Sequence, residues 1–181
     1  MPVLGIIALV SGTLGVWLTI RQNILCWPVS LVAVLASIIE FYEQRLFGDM
    51  SLQIFYFFLG VYGWIYWNIK RSEIFIIEKV SLKKIPFLLL VTIIQACAYY
   101  WLLVYFRGDR PLLDGVLTAA SLTATYMMTK KWLENWLAWV LIDGAYVFLY
   151  GLKEMWLFCL LYLLFTGMAF YGWLKWRRTV S

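Results

Sequence analysis

Tyr62-Gly63-Trp64-Ile65-Tyr66-Trp67 and Tyr171-Gly172-Trp173-Leu174-Lys175-Trp176 share the pattern Tyr-Gly-Trp-x-x-Trp at an offset of 109 residues. The same offset lays Trp27 on Trp136, Leu52 on Leu161 and Pro2 on Pro111 without a gap. Self-similarity at a fixed distance, in so apolar a chain, is the sequence trace of a membrane protein assembled from two related halves.

The composition explains why the medium is a bilayer. With 64% hydrophobic and 14% charged residues, 181 residues carry too little polar surface to cover a soluble globule. A spanning helix takes roughly 20 apolar residues. On that measure the sequence predicts seven spans, near 3–20, 23–42, 50–69, 86–106, 112–129, 133–152 and 155–174. Charged residues and the turn formers Pro28, Gly48, Pro86, Gly108 and Pro111 bound them. The first span has no basic residue before its apolar run and no small-residue cleavage signal, so it reads as a retained helix.

The repeat pairs the first span with the fifth, the second with the sixth and the third with the seventh. The expected fold class is therefore an all-α integral membrane protein of seven transmembrane helices. Repeat one covers 1–71, a linker helix about 84–107 and repeat two 110–178. Four spans, an even number, separate equivalent helices, so the two three-helix repeats are parallel (3+1+3).

Lysine and arginine orient the chain. Arg21, Lys70, Arg71, Lys79, Lys83, Lys84, Lys130, Lys131, Lys175, Arg177 and Arg178 fall on one side, and Arg45, Arg107, Arg110 and Lys153 on the other. The positive-inside rule then places the N-terminus outside and the C-terminus in the cytosol. The net charge of +5 is on this reading a topology signal, with no nucleic-acid partner implied.

Several chemistries are excluded. The chain has no histidine, so imidazole acid–base catalysis and histidine-ligated metals are absent. Cys26, Cys97 and Cys159 are too far apart for a Cys-x-x-Cys pair and read as small core residues. There is no glycine-rich phosphate loop ending in Lys-Ser or Lys-Thr. No enzyme, cofactor or resident metal is expected.

Ionisable groups deep in a span need a partner or a purpose. Glu40 lies near the outer end of the second span and reads either as a carboxylate reaching the interface or as part of a site. Asp143 lies at the middle of the sixth. It shares a helical stripe with Trp136, Trp139, Tyr146 and Tyr150, spaced three, four, three and four. An acid among aromatic rings suits a flat organic cation; the alternative is a packing seam. Its counterpart in the first half is Val34. Gln53 and Tyr56 form a second polar stripe in the third span, with Gln53 matched by Tyr162. Trp17, Trp27, Trp64, Trp67, Trp132, Trp173 and Trp176 all fall at one end of their spans, as an interfacial belt would. Asp114 reads as an N-terminal cap.

These residues resemble the PnuC-type vitamin transporters, a family similar in build to the SWEET sugar carriers. The resemblance covers nearly the whole chain. It rests on Asn23-Ile24-Leu25-Cys26-Trp27-Pro28, on Leu52-Gln53 with the Tyr62 cassette, and on Met128-Thr129-Lys130-Lys131-x-x-Glu134-Asn135-Trp136-x-x-Trp139 running to Asp143. It implies facilitated diffusion of a vitamin precursor across the inner membrane, nicotinamide riboside above all, trapped by a cytosolic kinase. It also implies a homotrimer, and relatives that carry thiamine, riboflavin or deoxynucleosides. In nicotinamide riboside carriers of the family the position that resembles 143 can be Asn, and here it is Asp. The charge suits nicotinamide riboside and thiamine, each with a fixed positive ring. With few intramembrane carboxylates a proton relay is hard to build, which favours a uniporter. Two other classes compete: a seven-helix sensor, against which the duplication speaks, and an intramembrane enzyme, for which one acid without histidine is a poor start.

Overall fold

The computed structural model describes residues 2–45, 47–70, 76–106, 110–152 and 154–180. Arg71, Arg107 and Lys153, used above for orientation, and the expected turn residue Gly108 lie outside the described residues.

Seven α-helices are described: α1 (Pro2–Ile20), α2 (Cys26–Glu43), α3 (Phe47–Lys70), α4 (Ile85–Tyr105), α5 (Pro111–Thr129), α6 (Asn135–Leu152) and α7 (Trp156–Arg177). Proline supplies the first turn of α4 and α5, where its missing N–H has no helical partner to lose. Gly48 does not break the chain as expected; it lies inside the first turn of α3. Among the described residues α1, α2, α4, α6 and α7 are long and apolar enough to cross a membrane by themselves. The most buried wall of the bundle belongs to α5, whose Thr118, Ser121 and Thr125 are shielded by other helices and need no lipid-compatible chemistry.

The packing closes a ring. α1 lies on α2, α2 on α3, α3 on α5, α5 on α6, α6 on α7 and α7 on α1. α4 stands outside, laid along α5, and touches α3 where Phe55 meets Tyr99 edge-on at 6.0 Å. The outward faces are the exposed apolar ones: Val10, Phe58, Phe87, Trp101 and Leu141 are all more than half exposed, as side chains facing hydrocarbon should be.

Contact after contact recurs at the 109-residue offset. Trp27 and Trp67 meet edge-on at 5.5 Å and 87°, and Trp136 and Trp176 at 5.3 Å and 88°. A Cβ on Gly63 would overlap the Trp27 ring, and one on Gly172 the Trp136 ring. Trp67 Nε1 donates to the Thr129 carbonyl at 3.0 Å, and Trp176 Nε1 to the Ile20 carbonyl at 3.1 Å. Even the indole N–H groups of Trp27 and Trp136 match, both being buried without an acceptor. These contacts correct the belt assignment. Trp27, Trp67, Trp132 and Trp176 are core residues, 6% exposed or less, because two of their N–H groups find carbonyls on neighbouring helices and their faces find other rings. Trp17 and Trp64 remain exposed.

The helix ends repeat as well. Gln22 and Lys131 have φ of 55° and 51°, Arg45 and Glu154 of 58° and 56°. Around Gln22, its N–H bonds the Thr19 carbonyl and the Asn23 N–H that of Leu18. Around Lys131 the same two bonds run to Met128 and, from Trp132, to Met127. Both are Schellman caps built without glycine. The segment after α3 returns under this end of the ring. Glu78 exchanges backbone bonds with Lys131 and Leu133, and Ile77 joins Ile20, Leu133, Trp136 and Trp176 in one cluster.

Candidate functional site

Helix α6 carries Asp143 into the bundle, where the residue is 7% exposed. Its carboxylate makes no hydrogen bond or ion pair with any described residue. A buried charge left in that condition is costly, so the position calls for a cation or a proton from elsewhere. The carboxylate lies close enough to Tyr56 of α3 and Tyr162 of α7 to act on both electrostatically. Tyr56 is also hydrogen-bonded to Ser121 of α5. Four helices of the ring therefore meet around one acid.

One turn beyond Asp143 begins a stack of rings. Tyr146 and Tyr162 are stacked at 4.7 Å and 28°, Tyr162 and Tyr150 at 5.4 Å and 17°, and Tyr150 and Phe158 at 5.2 Å and 23°. The cause is local: Tyr146 and Tyr150 sit one turn apart on α6, and α7 runs back alongside with Tyr162 and Phe158 one turn apart on the facing side. Near-parallel rings at these spacings gain dispersion and quadrupole attraction. They also present π faces to any planar cation that enters among them. Asp49 and Asp114, in the first turns of α3 and α5, act on Tyr146 and Tyr150. Negative charge thus also gathers towards the end of the stack away from the tryptophan cassettes.

The residues expected from sequence divide in space. Asp143, Tyr146, Tyr150 and Tyr56 come together. Gln53 lies one turn before Tyr56 on α3 and makes no hydrogen bond with a described residue. Trp139 is half-buried at the edge of the cluster that holds Trp136 and Trp176. Trp136 itself belongs to the packing cassette, fixed between Gly172 and Trp176. Glu40 is held elsewhere: it accepts from Gln44 at 3.3 Å and lies against Gly5 of α1. No hydrogen bond, ion pair or ring contact links it to the tyrosines. Tyr162, Phe158 and Ser121 were not expected. The signal for Tyr162 was available, since it stands where the repeat has Gln53. No group of three metal-ligating side chains is gathered among the described residues.

Comparison with known proteins agrees with this picture. Residues 2–178 match the family described as "Nicotinamide mononucleotide transporter". The Nicotinamide riboside transporter PnuC of Escherichia coli K12 is 25% identical, with 92% of this chain and 82% of that protein aligned. The transporters of the same name from Neisseria mucosa and Haemophilus influenzae are 23% and 24% identical, covering 97% and 98% of this chain and 72% and 80% of theirs. The crystal structure of the vitamin B3 transporter PnuC superimposes with a TM-score of 0.78 at 19% identity, over 97% of this chain and 81% of that one, which shows a shared fold. The chain belongs to the nicotinamide mononucleotide transporter family, that of the PnuC proteins, and is a multi-pass membrane protein of a family that transports rather than catalyses.

Proposed function

We propose that this protein takes up a flat, positively charged vitamin precursor, nicotinamide riboside, with the pyridinium ring among Tyr56, Tyr146, Tyr150 and Tyr162 and its charge beside Asp143. The observation that carries the reading is the buried Asp143 carboxylate, which has no partner among the described residues and stands at the end of a tyrosine stack. Its charge also selects among related cargoes. A phosphorylated nucleotide would bring a dianion beside a carboxylate, so the riboside is favoured over the mononucleotide. Gln53, on the same face of α3 as Tyr56, suits the carboxamide or a ribose hydroxyl, and Trp139 closes the inner end. Thiamine, also a fixed aromatic cation, is the second reading, favoured by aspartate at position 143.

The architecture in this proposal is two parallel repeats, 1–71 and 110–178, joined by α4 within about 84–107. Support comes from the matched tryptophan, glycine and cap contacts at the 109-residue offset. Transport proceeds as facilitated diffusion, the two halves rocking about the midplane site, with a cytosolic kinase trapping the product. The chain sits in the inner membrane with its N-terminus outside and C-terminus in the cytosol, and assembles as a homotrimer.

Tryptophan fluorescence of the purified protein, titrated with nicotinamide riboside and separately with thiamine, tests the reading. Saturable quenching by one of them identifies the cargo. Asp143→Asn should weaken that binding about tenfold or more while the melting temperature holds, since an ion pair in a site of low dielectric is worth about 1.4 kcal/mol or more. Unchanged affinity would return Asp143 to a packing role.

A further inference from the structure

A second site lies at the opposite end of the ring from the tyrosine stack. The 76–80 segment, the start of α6 and the end of α7 enclose a cleft of about 390 Å³. Its apolar lining comes from Leu133, Leu137, Trp173 and Val180. Its charges come from Lys79, Arg177 and Glu134. These three do not neutralise one another, for no ion pair joins Glu134 to either cation. Arg177 is instead held over the Trp173 ring at 5.0 Å, and one Glu134 oxygen, Oε2, accepts the Val80 N–H at 2.8 Å. The other carboxylate oxygen makes no hydrogen bond with a described residue.

Two cations and a carboxylate, unpaired with one another in a lining shared between polar and apolar side chains, complement a dipolar ligand and fit a simple anion less well. The place narrows the ligand further. Leu137 and Leu141, one turn apart on α6, are 41% and 75% exposed and lead from the cleft along the outer face of the helix. Aromatic and basic side chains at helix ends mark the bilayer interface, and basic pockets there hold lipid head groups.

We infer that this cleft binds a phospholipid whose head group carries both a phosphodiester and a primary ammonium, the phosphoethanolamine class. Lys79 and Arg177 take the phosphate, Glu134 takes the ammonium, and an acyl chain lies along Leu137 and Leu141. Choline bears no N–H to give the carboxylate, and glycerol bears no positive charge. The assignment does not depend on the cargo proposed above.

Native mass spectrometry of the full chain, released from detergent containing equal phosphatidylethanolamine, phosphatidylglycerol and phosphatidylcholine, tests it. Phosphatidylethanolamine should be retained over the other two. Lys79→Ala and Arg177→Ala should each weaken retention roughly fivefold, the effect of one interfacial cation. Glu134→Gln, which keeps an acceptor for Val80, should abolish the preference over phosphatidylglycerol. Lys79→Arg and Arg177→Lys serve as folded controls and should retain lipid. Equal retention of the three lipids, or retention indifferent to both cations, would overturn the site. A preference for phosphatidylglycerol would overturn the role of Glu134. Displacement by soluble phosphoethanolamine as effectively as by the lipid would overturn its assignment to a lipid.

Discussion

Lys131 donates from Nζ to Oε1 of Gln22 across 3.2 Å, and these two residues are 109 positions apart in the chain. Each is the other's counterpart, and both hold a left-handed backbone at the end of a helix. On the two-repeat architecture proposed above, a side chain bonded to its own counterpart stands beside the line about which equivalent positions exchange. The turn containing Lys131 is also where α3 is tied in, since the Lys131 ammonium lies 4.7 Å from the Trp67 ring centre.

That location leaves a pH signature. Burial holds the Lys131 pKa below the ordinary lysine value of 10.5. The unfolded chain therefore binds this proton more tightly than the folded one. Stability must rise with pH across the interval between the folded value and 10.5. Thermal melts across that interval should show the rise, and Lys131→Gln should flatten it; an identical slope in the variant would contradict the assignment.

Trp67 and Trp176 each close a seam between non-consecutive helices, α3 to α5 and α7 to α1, through one indole N–H. Replacing either by Phe keeps a ring and removes the donor, leaving a buried carbonyl short of a partner. Each change should cost about 1–3 kcal/mol, and the two costs should be similar. Chemical denaturation in detergent measures both. Costs that differ by more than twofold would mean that the matched geometry hides unequal environments.

Glycine should behave differently along these helices. Gly63→Ala and Gly172→Ala drive a methyl into the Trp27 and Trp136 rings, and overpacking of this kind costs about 1–3 kcal/mol. At Gly144, beside Asp143, a Cβ would meet nothing within 4 Å. Alanine there should stabilise by up to about 1 kcal/mol through helix propensity alone. Melting temperatures moving in opposite directions would bear this out.

The tyrosine stack and the tryptophan cassette should separate in function. Tyr162→Ala should impair cargo binding with a modest effect on stability, as it removes the ring shared by Tyr146 and Tyr150. Trp136→Ala should unfold the protein at lower temperature, costing about 3–5 kcal/mol, since it empties the centre of a cluster. Ligand titration beside thermal melts distinguishes the two, and loss of binding by a folded Trp136→Ala protein would return that residue to the site.

Most of the helical framework was legible in the chain because apolar run length and the repeated cassette are local signals. The tryptophans were harder to place. A ring at a helix end looks the same in sequence whether it faces lipid headgroups or a neighbouring carbonyl, and only the partner helix decides for Trp67 and Trp176. Spacing brought Asp143, Tyr146 and Tyr150 onto one face, and the same spacing drew in Trp136, although Trp136 lies seven residues and about 10 Å along the helix from Asp143 and sits in other surroundings. Tyr162 was legible only as the counterpart of Gln53, because its place in the stack depends on α7 running back along α6, a relation between helices that no single helix records.

Because α4 stands outside the closed ring, continuity of the polypeptide between the first three helices and the last three is a matter of tethering. Every seam of the ring is made by α1, α2, α3, α5, α6 and α7. Two polypeptides produced separately, cut between α4 and α5, hold all the surfaces needed to find each other in the bilayer. On the two-repeat architecture proposed above, the asymmetry that a single chain permits, an acid in one half where the other has Val34, is then what fusion adds over a pair of identical subunits.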